Sequence, residues 1–174
     1  MSLVYGDDSS TAPVAVPQGF KTQPAVACIQ SAAILATAAQ SATVFAVVTD
    51  ADAFVGGTVI NNPLPAGGGF TINEVAGTIT VPRAMVVKVT YMLSGITIIN
   101  GGVRTAAVFG GATNATRLGG TAFGTDLTAS PSTLIGCVIA SVAAGDILSI
   151  KTIESTAQIM TIALGGVTVI VEEI

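Results

Sequence analysis

Three observations predict an all-β fold, a jelly-roll β-sandwich preceded by an extended N-terminal arm. Short runs rich in valine, isoleucine and threonine recur through the second half of the chain, from Ala76 to Ser94, Val142 to Ile150 and Gly165 to Ile174. Paired glycines at 101–102, 110–111, 119–120 and 165–166 punctuate those runs, the spacing of breakers and β-formers that a sandwich requires. The longest run also alternates with period two. Met85, Val87, Val89, Tyr91 and Leu93 fall on one face, and Val86, Lys88, Thr90, Met92 and Ser94 on the other.

Residues 1–24 stand apart. Gly6, Asp7, Asp8, Ser9 and Ser10 are followed by Pro13, Pro17 and Pro24, with little that builds a core. Proline fixes φ and removes a donor, so this stretch reads as an arm able to lie on a neighbour. The remainder, 25–174, forms the sandwich domain. From Ala25 the chain becomes small and apolar, and Ser41 to Val48 has the β-branched enrichment of a strand. The segment Ile29 to Gln40 is open between strand and helix, because its alanines favour a helix. Gly56-Gly57 and Pro63 to Gly69 are turn or loop segments. At the end of the chain Val167, Val169 and Val171 share a face, with Thr168, Ile170 and Glu172 on the reverse.

Composition bounds the function. Only 9% of the 174 residues are charged and 51% are hydrophobic, whereas about a quarter of a typical soluble domain is charged. Several second strand faces are partly apolar, which a monomer would leave in water and an oligomer would bury. Six basic and ten acidic residues give a net charge of -4 with no cationic stripe, so no nucleic-acid partner is expected. Met-Ser-Leu-Val-Tyr-Gly-Asp-Asp carries acids where an export signal carries lysines, so export is not expected. Ala25 to Val48 approaches the length of a membrane span, but Gln30, Ser31, Thr37, Gln40, Ser41 and Thr43 interrupt it, so no membrane insertion is expected.

Candidate chemistry is sparse. The chain has no histidine, so the usual serine and cysteine triads lack their base, and neither a catalytic residue nor a cofactor is assigned. Cys28 and Cys137 lack the spacing of a zinc site and read as free, buried thiols. Asp50 and Asp52, spaced D-x-D, read as a solvated turn rather than a calcium loop, so no metal is assigned. Gly67-Gly68-Gly69 has no Lys-Ser or Lys-Thr after it and is no phosphate loop. Asn114-Ala115-Thr116 matches a glycosylation sequon, yet reads as an ordinary loop triplet. Arg83, Arg104 and Arg117 sit where solvated turn arginines are expected, with bidentate bonds to a neighbour's carboxylates as the alternative.

The order of elements over residues 69–174 resembles the jelly roll of the tumour necrosis factor and complement-head family. Phe70, then Ala76-Gly77-Thr78-Ile79-Thr80-Val81-Pro82, then Met85 to Ser94 follow that family's early strands. Ser132 to Val142, the Gly145-Asp146 turn, Ile147 to Ile150 and Leu164 to Val169 follow its later ones. Met85-Val86-Val87 stands where the family has glycine and aromatics, and aromatics make up only 5% of the chain. Poor in charge, with a proline-punctuated arm before a jelly roll, the chain also resembles bacteriophage capsid decoration proteins and fibre heads. That resemblance implies a non-enzymatic homotrimer that cements a capsid, made in the host cytoplasm and located on the virion. Its partners would be itself and the major capsid protein. Leu3, Val4 and Tyr5 would touch the capsid, and Tyr91, Val167 and Val169 would be core or trimer positions. The alternatives are a receptor- or glycan-binding fibre head and a secreted complement-like binding module.

Overall fold

The structure is a computed structural model, which describes residues 25–30, 35–36, 46–48, 69–73, 75–96, 102–126, 132–154, 161–163 and 165–174. Twelve strands lie within them. They are β1 (Val26–Gln30), β2 (Leu35–Ala36), β3 (Ala46–Val47), β4 (Thr71–Asn73), β5 (Thr78–Thr80), β6 (Met85–Ile96), β7 (Gly102–Gly110), β8 (Thr116–Asp126), β9 (Ser132–Val142), β10 (Ile147–Glu154), β11 (Thr161–Ile162) and β12 (Val167–Glu173). No described residue is helical, and no helix is long and apolar enough to cross a membrane among them.

Two antiparallel sheets face each other. One has the order β1-β12-β6-β9, and the other runs β4-β5-β10-β7-β8 with β3 also paired to β10. A short β2–β11 pair forms a separate ladder, held to β6 by Ala163 N–H donating to Gly95 O at 3.2 Å. The start of the segment left open between strand and helix is β-strand, since β1 pairs with β12 from Val26↔Glu172 to Gln30↔Thr168. Each non-consecutive pairing carries the chain across the sandwich between strands.

The period-two pattern of β6 selects the inner face. Val87, Val89, Tyr91 and Leu93 are at most 1% exposed, and Met85 is 9% exposed. Val167 and Val171 of β12, Ala27 and Ile29 of β1, and Leu134 of β9 continue that inner face. From the second sheet Ile79, Ala106, Val108, Leu148 and Ile150 close the core. Burying each such aliphatic side chain contributes roughly 1.5 to 3 kcal/mol.

The Gly145-Asp146 turn lies between the expected strands, but it is not a tight hairpin, because β9 and β10 belong to opposite sheets. Asp146 Oδ2 accepts from Ala143 N–H at 2.9 Å, and Gly145 adopts φ 82°, open to glycine at no steric cost. Pro82 follows β5, where a missing N–H costs no ladder bond, and Val81 N–H donates to Asp146 O at 2.9 Å.

Gly119-Gly120 departs from the sequence expectation. Instead of ending a strand, the pair lies inside β8. The β7–β8 register shifts between Ala106 and Val108 and again between Val108 and Phe109, the signature of a bulge. Gly120 has φ 62°, and a Cβ there would meet the Cys137 backbone at 3.2 Å.

Candidate interaction surface

The outer face of the four-stranded sheet is built by the positions that alternation turns away from the core. Register aligns them in rows. Cys28, Ile170, Thr90 and Cys137 form one, and Val26, Glu172, Lys88 and Ile139 form the next. Thr168, Met92 and Ile135 belong to a third. On the edge strand β9 the burial alternates, with Ile135 64% exposed and Ile139 62% exposed, while Leu134 and Val142 turn inward.

Beside β9 runs β8, the edge of the other sheet, so that the two sheet edges meet there. Phe123 on β8 is 71% exposed. Its neighbour Gly124 faces inward against Leu134, whose Cδ2 would be 2.7 Å from an added Cβ, so Phe123 points away from the core. Three large apolar residues are thus exposed on β8 and β9, the adjoining edge strands of the two sheets. Isolated exposed apolar residues are ordinary, whereas a contiguous group marks an interaction surface.

Charge on this face is internally balanced. Lys88 Nζ lies 3.2 Å from Glu172 Oε2, and these two are the charged groups among the outward described positions of β1, β12, β6 and β9. A partner needs no complementary charge here.

Behind the face, Tyr91 ties the two sheets together. Its hydroxyl lies 2.7 Å from Gly120 O and 3.0 Å from Ala106 O, so the O–H donates between two carbonyls of the opposite sheet. Burial pushes its pKa up to about 12, offset in part by a backbone hydrogen bond at Ala122 and by the Arg117 charge. Gly136 makes the approach possible. A Cβ there would lie 2.3 Å from Gly120 O and 2.4 Å from the Tyr91 ring.

The sequence-derived candidates fall in different places. Tyr91, Val167 and Val169 lie between the sheets, at 1%, 1% and 9% exposure. Leu3, Val4 and Tyr5, the arm they belong to, and Asp50 and Asp52 lie outside the described residues. Cys137, expected to be buried, is exposed, because Leu134 and Gly136 take the inner positions of β9 and leave Cys137 outside. Cys28 is half-buried, and burial pushes its thiol up.

The three arginines differ from one another. Arg104 is fully buried inside β7 rather than solvated in a turn, with Nη1 donating to Ser132 Oγ at 3.2 Å. Arg83 does lie in a turn, its Nη2 2.6 Å from both Glu173 oxygens. Arg117 Nη2 donates to Thr121 Oγ1.

Asn114 was missed by sequence reasoning as anything but a loop residue. It is 8% exposed with φ 52°, and its Nδ2 donates to Ser149 Oγ at 2.8 Å while that hydroxyl lies 3.0 Å from Asn114 Oδ1. The amide nitrogen that a glycan would need is already occupied. Lys151 adds a third contact, donating from Nζ to Asn114 O at 2.5 Å and sitting 4.8 Å from the Phe109 ring centroid.

Among the described residues no group of three or more Asp, Glu, Cys or His side chains converges as a metal site. A cavity of about 20 Å³ lies between the sheets, lined by aliphatic residues including Ile29, Val89, Leu148 and Val169. That is room for about one water molecule, so it is a packing gap rather than a substrate pocket.

No protein-family model and no curated protein sequence matches the chain. Solved structures do. Eiger TNF from S. frugiperda aligns at 10% identity and TM-score 0.59, covering 87% of this chain and 94% of that one. Murine APRIL aligns at 8% identity and TM-score 0.54, covering 87% and 100%. The globular domain of zebrafish complement 1qA aligns at 9% identity and TM-score 0.52, covering 87% and 97%. The fold is therefore a jelly roll like those of TNF and complement heads, and at such identities the likeness carries the fold alone.

Proposed function

We propose that this chain is a non-enzymatic binding head that assembles with copies of itself, as a homotrimer, through the outer face of its four-stranded sheet and the β8–β9 corner. The observation that carries this reading is the exposure of Ile135 and Ile139 on β9 and of Phe123 on the adjoining edge strand β8, in a chain with 9% charged residues. Burying an isoleucine at an interface contributes roughly 1.5 to 3 kcal/mol, part of which offsets the rotational and translational freedom lost on association. The occupant is a second copy because the Lys88–Glu172 pair leaves the face neutral, with no call for a partner of opposite charge. Three is the number that the family resemblance implies.

The likeness to complement and TNF heads supports a binding module more than it supports capsid cementing. The capsid role draws on composition and on the proline-punctuated arm. In that narrower reading three arms held together raise the effective concentration of one another on a particle. Sedimentation equilibrium of the purified chain tests the shared core of both readings. A mass of three times 17.2 kDa is expected, and a monomer at micromolar concentration would overturn it. Heating particles made with and without the protein then separates the two roles. Genome loss confined to particles lacking it supports cementing, whereas unchanged particle stability leaves the binding head.

A further inference from the structure

One flank of β10 is built from two strands laid end to end. β5 pairs with its start, Leu148 opposite Ile79, and β3 pairs further along, Lys151 opposite Val47. Extended toward each other, both registers arrive at Ile150, where Val48 follows the end of β3 and Gly77 precedes the start of β5. Val48 N–H closes its side of this joint by donating to Ile150 O at 2.9 Å. Gly77 brings no side chain to the other side.

The cavity between the sheets lies at this joint. Val48 and Gly77 both line it, with Leu148 and Ile150 from β10 and Val89 and Val169 from the facing sheet. Its lining side chains are aliphatic except that of Ser149, whose hydroxyl is already engaged with the Asn114 amide at 2.8 and 3.0 Å. A buried water typically makes about three hydrogen bonds, and no side chain here is left to make one. At about 20 Å³ the space has the volume for a water but not the polarity that would hold it. Aliphatic cavities of this character stay dry and take apolar guests instead.

We propose that the gap beneath the β3–β5 joint is a dry binding site for one small, uncharged, apolar molecule of dioxygen or methane size. Its volume excludes larger molecules, and its lining excludes charged or hydrogen-bonding ones of the same size, because nothing among the side chains replaces the water they would leave behind. The site belongs to the single chain and stands independently of self-association.

The test equilibrates the whole chain, isotope-labelled at its isoleucine, leucine and valine methyls, under dioxygen and under the same pressure of nitrogen, and reads methyl relaxation by NMR. Dioxygen is paramagnetic and speeds the relaxation of the methyls it touches. Those of Ile29, Val89, Leu148 and Val169 are expected to relax several-fold faster than those of Val108 and Leu134, which are as deeply buried but away from the gap. Val169→Ile adds a methyl group to the wall and is expected to abolish the excess, whereas Ile150→Val removes one and is expected to increase it. An equal response from all buried methyls, no response at the gap, or an excess that Val169→Ile leaves intact would overturn the proposal. So would cross-relaxation between water and the gap methyls of wild type, which would place a water in the space. If Val169→Ile does not fold, Ile150→Val decides: an excess that does not grow counts against the site.

Discussion

The Tyr91 hydroxyl lies 2.7 Å from the Gly120 carbonyl, which joins the two sheets where their edges meet behind the exposed corner. The bulge at Gly119-Gly120 turns that carbonyl inward, and the missing side chain of Gly136 leaves the space in which it sits. Tyr91→Phe should cost about 1 to 2 kcal/mol, since buried carbonyls lose a donor. Gly136→Ala should cost more, about 3 kcal/mol, because the new Cβ would fall 2.3 Å from Gly120 O. Urea denaturation of both variants checks the order.

The same residue gives stability an alkaline limit. Folding raises the Tyr91 pKa from 10.0 to about 12, so the native state holds the proton that the unfolded chain releases first. The contribution is complete below pH 10 and is lost as pH climbs toward 12, by on the order of 2 to 3 kcal/mol in total. Comparing wild type with Tyr91→Phe between pH 8 and pH 11.5 isolates it: the stability gap between them should narrow with rising pH.

Asn114→Ala should cost about 2 to 3 kcal/mol. It strands the Ser149 hydroxyl, 5% exposed, and places a residue without a local hydrogen bond at φ 52°. Asn114→Gly relieves the backbone term and should lie between alanine and wild type. Thermal melts of the two variants check the ranking, and mass spectrometry after expression in a glycosylating host should find Asn114 unmodified.

Much of this architecture was legible because strands buried on one face alternate. The inner set of β6, the Gly145-Asp146 turn and the valines of β12 all follow from period two and turn chemistry. What failed was local pattern where both faces are apolar. In β9, Leu134 and Ile135 are equally hydrophobic, so alternation cannot say which points outward, and Cys137 was placed in the core although it is exposed. Arg104 read as a solvated turn residue because its partner Ser132 is distant in sequence, and only the folded sandwich brings them to 3.2 Å. Gly119-Gly120 looked like a terminator because a bulge and a turn draw on the same residue type.

At the other end of the core sheet, Glu173 accepts from Ala25 N–H at 3.3 Å and pairs with Arg83 at 2.6 Å, closing β1, β12 and the β5–β6 turn together. Arg83 keeps 45% of its side chain exposed, so the ion pair is screened. Glu173→Gln should cost under about 1 kcal/mol, and the difference from wild type should shrink in high salt. Denaturation at two ionic strengths checks both.

The central claim, that the β8–β9 corner is an interface between copies, is tested most directly by sedimentation of Ile135→Glu/Ile139→Glu beside wild type. Both side chains are more than 60% exposed in the single chain, so the substitutions should leave the β-sheet circular-dichroism spectrum unchanged. The account predicts a trimer for wild type and a folded monomer for the variant. A wild-type monomer, or a variant that stays trimeric, would contradict it.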